Sequence, residues 1–180
     1  MRVFLYLLVV VAAVGCNAEQ AKSKQYTYRN LEQVDDFATK NDTLFANVLT
    51  VGGLNLHVYE VKHPTATELI VHTDEDGKML SEISKQLPGN IVKIDSADLN
   101  NNHCPELYVW CKTSADSCSL LAFELQGNNY YEIVFPQQTG QYTTDYLLTP
   151  DGIAQKSTNK NHVAITTHFQ LDGKANLVMI

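Results

Sequence analysis

The sequence predicts an all-β fold: an antiparallel β-sandwich of short strands, with at most one short helix near the N-terminus. Three observations point there. Apolar and polar residues alternate at period two through much of the chain, as half-buried strands require. Clusters of Gly, Asn and Pro cut the chain into about nine or ten short β-prone runs. No long helical period separates these runs, so a doubly wound α/β arrangement is not expected.

The first stretch reads as an export leader. Arg2 supplies a positive start, Val3 to Val14 is apolar, and small residues precede Cys16. The run is shorter than the ~20 residues that span a bilayer. Two cleavages stay open. Ala13-Val14-Gly15-Cys16 fits a bacterial lipoprotein signal, which makes residues 1–15 the leader and Cys16 the lipidated first residue. An ordinary signal peptidase would instead cut after Ala18, giving a leader of 1–18. The expected location is the periplasm or outer cell envelope, anchored by lipid at Cys16, or outside the cell if Cys16 carries no lipid. Residues 16–25 read as a flexible tether. Residues 26–180 read as a single β domain, long enough to bury its own core.

The formal charge is −7, and loss of the leader removes only the positive Arg2. Such a chain repels nucleic acid and anionic lipid, so membrane contact is expected only through the N-terminal anchor. A cationic protein partner suits it. No motif asks for a cofactor, and nothing in the pattern specifies an oligomeric state.

The elements follow in order. Leu31, Val34, Phe37 and Ala38 recur at helical spacing. Phe45 to Val51 and Leu54 to Glu60 read as two strands joined by Gly52-Gly53. Leu69 to His72 is a third strand, ended by the acidic turn Asp74 to Gly77. Met79, Ile83 and Leu87 have helical spacing, although strand is an equal reading. Pro88-Gly89 precedes a strand through Ile91, Val92 and Ile94. Leu107 to Cys111 and Cys118 to Leu125 are apolar runs joined by the polar link Lys112 to Ser117. Gly127-Asn128-Asn129 turns the chain into the β-prone Tyr130 to Phe135. Gln137 to Thr144 reads as loop, Tyr146 to Leu148 as a brief strand, and Ser157 to Asn161 as loop. Val163 to Leu171 alternates most cleanly, and Asp172-Gly173 turns it back into Asn176 to Ile180.

Export permits disulfides. Cys111 and Cys118 flank the polar link, so a bridge between them would close a small preorganised loop, provided both side chains share a face. Cys104 with Cys111 is the rival pairing. A zinc site is disfavoured because C-x6-C-x6-C lacks the close ligand pairs of such sites.

Asp98, Asn100 and Asn102, with Glu106, stand at the first, third, fifth and ninth places of a calcium-loop pattern. The sixth place holds His103 rather than glycine, and the twelfth holds Val109 rather than glutamate. An Asx-rich turn, in which these side chains cap their own backbone, is the favoured reading, and no metal is assigned.

No enzyme is expected. The chain has six histidines but no H-E-x-x-H, no G-x-S-x-G and no glycine-rich phosphate loop. A small-residue loop held by a sandwich suits insertion into a partner's cleft.

The block from Asp95 to Leu125 resembles the periplasmic inhibitors of invertebrate-type lysozyme. Asp98-Leu99-Asn100, Pro105 to Val109 and Thr113-Ser114-Ala115 carry the likeness, and Gly127-Asn128-Asn129 and Ile133 to Pro136 continue it. The resemblance implies a periplasmic sandwich that inserts one hairpin loop into the active-site cleft of a basic lysozyme. The implied contact residues are Ser117, Cys118, Ser119 and Leu120, in a candidate partner-binding loop that also takes in Ser114 and Asp116. Within them Cys118 stands where the family has a glycine, and Leu120 where it has a tyrosine. The alternative is an envelope lipoprotein with a structural or ligand-binding role that shares only the scaffold, stabilised by calcium or not.

Overall fold

The computed structural model describes residues 42–136 and 142–180. The expected leader with Cys16, the tether and the helix at 31–38 lie outside the described residues. Among the described residues twelve strands run in order: β1 (Thr43–Val51), β2 (Leu54–Lys62), β3 (Thr67–Glu75), β4 (Lys78–Gln86), β5 (Asn90–Ala97), β6 (Glu106–Ser114), β7 (Ser117–Gln126), β8 (Asn129–Ile133), β9 (Tyr142–Thr149), β10 (Gly152–Asn159), β11 (Ala164–Leu171) and β12 (Leu177–Met179). They form three antiparallel four-stranded sheets, β1 to β4, β5 to β8 and β9 to β12, each a simple meander. The fold is thus the expected antiparallel all-β sandwich, built in three layers. Among the described residues no helix is long and apolar enough to cross a membrane.

The middle sheet organises the stack. The first six residues of β6, Glu106 to Cys111, are all buried. Strand alternation sends Leu107, Val109 and Cys111 to one face, where they join Leu49, Leu56, Val58, Leu69 and Val71 of the first sheet. Tyr108 and Trp110 point the other way and pack with Leu120, Ala122, Ile153 and Leu171, the last two from the third sheet. A strand covered on both faces has no polar side to show, so this run reads as unbroken apolar sequence. Each large side chain so buried contributes about 1.5–3 kcal/mol.

Local irregularities fit the same core. Ile91 and Ile94 are an odd number of residues apart, yet both enter the first core. A bulge between Ile91 and Lys93 makes this possible and leaves Val92 outside. Residues 78–86 are strand although Met79, Ile83 and Leu87 have helical spacing, because β4 pairs along the length of β3. The stretch Ser157 to Asn161, expected as loop, begins inside β10. That strand hides from pattern reading because its inward face carries Gln155 and Ser157. Gln155 Nε2 donates to the Tyr146 hydroxyl at 2.8 Å, which offsets its burial. Gly152 belongs to β10 for a steric reason. Its φ is +144°, and a Cβ there would collide with the Phe169 carbonyl of β11.

Candidate functional site

The expected insertion loop is a tight hairpin. Trp110 pairs with Leu120, Cys111 with Ser119 and Lys112 with Cys118. After a bulge, Ser114 pairs with Ser117. The turn is therefore Ala115-Asp116 alone, where the polar link Lys112 to Ser117 was expected to be loop. Continued pairing satisfies backbone groups that an open loop would leave to water.

This corrects the placement of the implied contact residues. Ser114 and Asp116 lie on the exposed tip, which runs from Lys112 to Asp116. Ser117, Cys118 and Ser119 are half-buried strand residues, and Leu120 is buried beside Trp110. Leucine stands at that position because the site is core.

The base of the tip is held firmly. Gly89, in the β4–β5 connection, lies so close that a Cβ would collide with the Lys112 carbonyl. Thr113 Oγ1 donates to the Ser117 carbonyl at 3.2 Å. The Thr144 N–H donates to Ser117 Oγ at 3.1 Å, tying the hairpin to β9. Trp110 Nε1 donates to the Tyr146 carbonyl at 2.9 Å, and Lys93 Nζ lies 4.4 Å from the Trp110 ring centre. Beside the tip, Asp116 shares an open cleft of about 700 Å³ with Tyr142, Asn159, Lys160 and His162. A smaller polar cleft of about 210 Å³ lies against Ser117, Cys118, Thr144 and Gln155.

The Cys111–Cys118 bridge does not form. The two residues are one register step off opposite, so their side chains leave opposite faces of the middle sheet. Cys104, Cys111 and Cys118 are all unbridged, which removes the Cys104–Cys111 pairing as well. Burial pushes the Cys111 thiol up to about 12, and the nearby Glu60 adds to the shift.

The Asp98–Glu106 segment connects β5 to β6 as a nest of Asx turns. Asp98 accepts the Asn102 N–H at 3.0 Å and the His103 N–H at 3.1 Å. Asn100 Oδ1 accepts the Asn102 N–H at 3.2 Å, and Asn102 Oδ1 accepts the Cys104 N–H at 2.8 Å. His103 takes a φ of +66° in the place where calcium loops use glycine. Glu106 Oε2 accepts the Leu99 N–H at 2.9 Å beneath the loop.

Sequence reading missed one member of this region, Glu124. It faces Glu106 directly across the β6–β7 ladder, and both side chains are wholly buried. Asn100 Nδ2 and Asn102 Nδ2 donate to Glu124 Oε2 at 2.9 and 3.1 Å. Gln126 donates to its other oxygen. A lone glutamate inside the apolar run Leu120 to Leu125 was the available signal. Burial pushes the Glu106 carboxyl up to about 8; the Leu99 N–H bond opposes the shift, and the charges of Asp98 and Glu124 add to it. Burial also raises the Cys104 thiol, aided by the charges of Glu124, Asp98 and Glu106. Among the described residues, no three His, Cys, Asp or Glu side chains stand as a ready metal-holding group.

Compared with protein-family models, curated proteins and solved structures, the chain finds no match in any of the three.

Proposed function

We propose that this chain is an exported, non-catalytic binding protein that blocks a basic lysozyme by presenting the β6–β7 hairpin tip to its active-site cleft. The observation that carries this reading is the tip itself. Five consecutive residues, Lys112 to Asp116, are exposed, and bonds from Thr113 and Ser117 fix their base. A tip already ordered loses little conformational entropy on binding. The net charge of −7 adds attraction to a cationic partner. Ser114 and Asp116 are the contact residues of this proposal, with Ser117 at the edge. Leu120 acts through packing alone.

The test is a cell-wall lysis assay with the full chain against a panel of lysozyme types. Dose-dependent loss of lysis is expected for at least one type. Replacing Ser114 and Asp116 together by Lys should abolish it without changing the thermal midpoint. Absence of inhibition across the whole panel sinks the reading.

A second reading is an envelope lipoprotein with a structural or ligand-binding role on the same scaffold. One observation favours it: the half-buried Ser117, Cys118 and Ser119 line a polar cleft of about 210 Å³. It predicts no inhibition and a different partner copurifying with the chain.

A further inference from the structure

We propose that the outward face of the first sheet is a docking surface for a segment of this same chain, residues 31–38, which lies outside the described residues. The inference does not depend on the inhibitor reading.

The first sheet is an outer layer. Leu56, Val58, Leu69 and Val71 point inward to the middle sheet. Alternation along β2 and β3 therefore turns Tyr59, Val61 and Ile70 outward. On β1, Ala46 stands opposite Tyr59 and Val48 opposite His57, on the same face. Together these side chains make an apolar strip. Tyr59 and Val61 are each only 3% exposed, yet they belong to neither of the two hydrophobic cores. Neighbours within a sheet stand beside a side chain and do not cover its end, so burial to this degree takes a layer above the sheet. The third sheet gives the contrast. It too is an outer layer, and β11 is an inner strand of it, as β2 is of the first. Thr166, His168 and Gln170 of β11 point outward and all three are exposed. The third sheet's outward face is open, whereas the first sheet's is covered.

The point where the chain enters the sheet identifies the cover. β1 begins at Thr43, which pairs with Val61, and the Lys62 N–H donates to the Asp42 carbonyl at 2.8 Å. The residues before 42 therefore meet the sheet at the Val61 end of the apolar strip. The link Thr39 to Asn41 reaches up to about 10 Å, or two strand spacings of about 4.8 Å. Before it, Leu31, Val34, Phe37 and Ala38 recur at helical spacing, with Glu32, Gln33, Asp35 and Asp36 between them. Eight helical residues rise about 12 Å, enough to cross β2 and β3. So short a helix is not stable alone in water and needs an apolar surface beneath its stripe. The strip has a polar border that suits the segment's charged side. His57 Nε2 lies 2.5 Å from Asp74 Oδ2, and His72 Nε2 lies 3.0 Å from Glu82 Oε2.

Nitration of the full chain by tetranitromethane, mapped by peptide mass, reads the cover over Tyr59. Tyr59 should be protected in the native chain, whereas Tyr131, 51% exposed, reacts. Val34→Asp combined with Phe37→Asp should raise Tyr59 nitration at least tenfold and lower Tm by roughly 5 to 15 °C. Phe37→Ala should move both readings less, and it carries the test should the double variant not fold. Gln33→Lys, on the polar side of the segment, should behave as the native chain does. Nitration is repeated over a hundredfold dilution, with the mass in solution followed by sedimentation. Rapid nitration of Tyr59 in the native chain would overturn the proposal. So would native-like protection and Tm in the Val34→Asp/Phe37→Asp and Phe37→Ala variants. Protection lost on dilution as a dimer dissociates would also overturn it, because a second copy would then be the cover.

Discussion

Replacing Glu106 by glutamine should stabilise the protein at neutral pH and leave it nearly unchanged in acid. The Glu106 carboxyl titrates at about 8 in the folded chain against an ordinary 4.5, because burial, and then the charges of Asp98 and Glu124, disfavour its ionised form. The folded state therefore prefers the protonated acid. Its stabilising contribution is complete below pH 4.5, where both states are protonated, and is lost as pH climbs toward and through about 8. Each pH unit between the two values removes about 1.4 kcal/mol, so by pH 7 the loss is about 3 kcal/mol. At about 2–4 °C per kcal/mol for a chain of this size, Tm should drop by roughly 6 to 12 °C from this group alone. Glutamine keeps an acceptor for the Leu99 N–H and turns an amide donor toward Glu124, with no charge to desolvate. Unfolding of both proteins is followed from pH 4 to pH 8. Contributions from carboxylates remote from Glu106 cancel in the difference between the two curves. That difference should grow by about 3 kcal/mol between pH 4.5 and pH 7, in favour of the variant. Parallel curves, or a variant less stable than the native chain at pH 7.5, would refute the reasoning.

Three other outcomes are expected. Gly89→Ala forces a methyl into the Lys112 backbone carbonyl, where no side chain can yield, and should cost about 1–3 kcal/mol in urea unfolding. Cys111 should resist iodoacetamide in the folded chain and react in denaturant without prior reduction, as peptide mass measurement would show, because it is buried, unbridged and protonated. Trp110→Phe removes the donor that meets the Tyr146 carbonyl and the ring beneath Lys93, and should lower the urea unfolding free energy by about 1–3 kcal/mol.

Much of the strand and turn placement was legible because its signals are local. Gly52 and Gly53 both take positive φ in the β1–β2 turn, and the alternation of Leu54, Leu56 and Val58 sets which face of β2 is buried. The run Leu107 to Cys111 marked a strand. At the candidate site less could be read. Lys112 to Ser117 is polar enough to suggest a loop, yet pairing carries both strands to within two residues of each other. The polarity of that link reports exposure of the tip and does not distinguish loop from strand end.

The sequence by itself determined that this chain is antiparallel β. Side-chain period and turn chemistry act over a few residues and need no partner to be read. It also marked the Asp98 loop, whose Asx turns close within the loop's own backbone. Only the tertiary structure decided which residues share a face across strands. That separation leaves Cys111 and Cys118 unbridged on opposite sides of one sheet. It draws Leu120 out of the presumed contact loop and into the second core. It also sets Glu124, 18 residues after Glu106 in sequence, directly across from it. The physical reason is that register depends on the summed burial of two whole strands, and a slip of one residue would turn every one of these side chains to the other face.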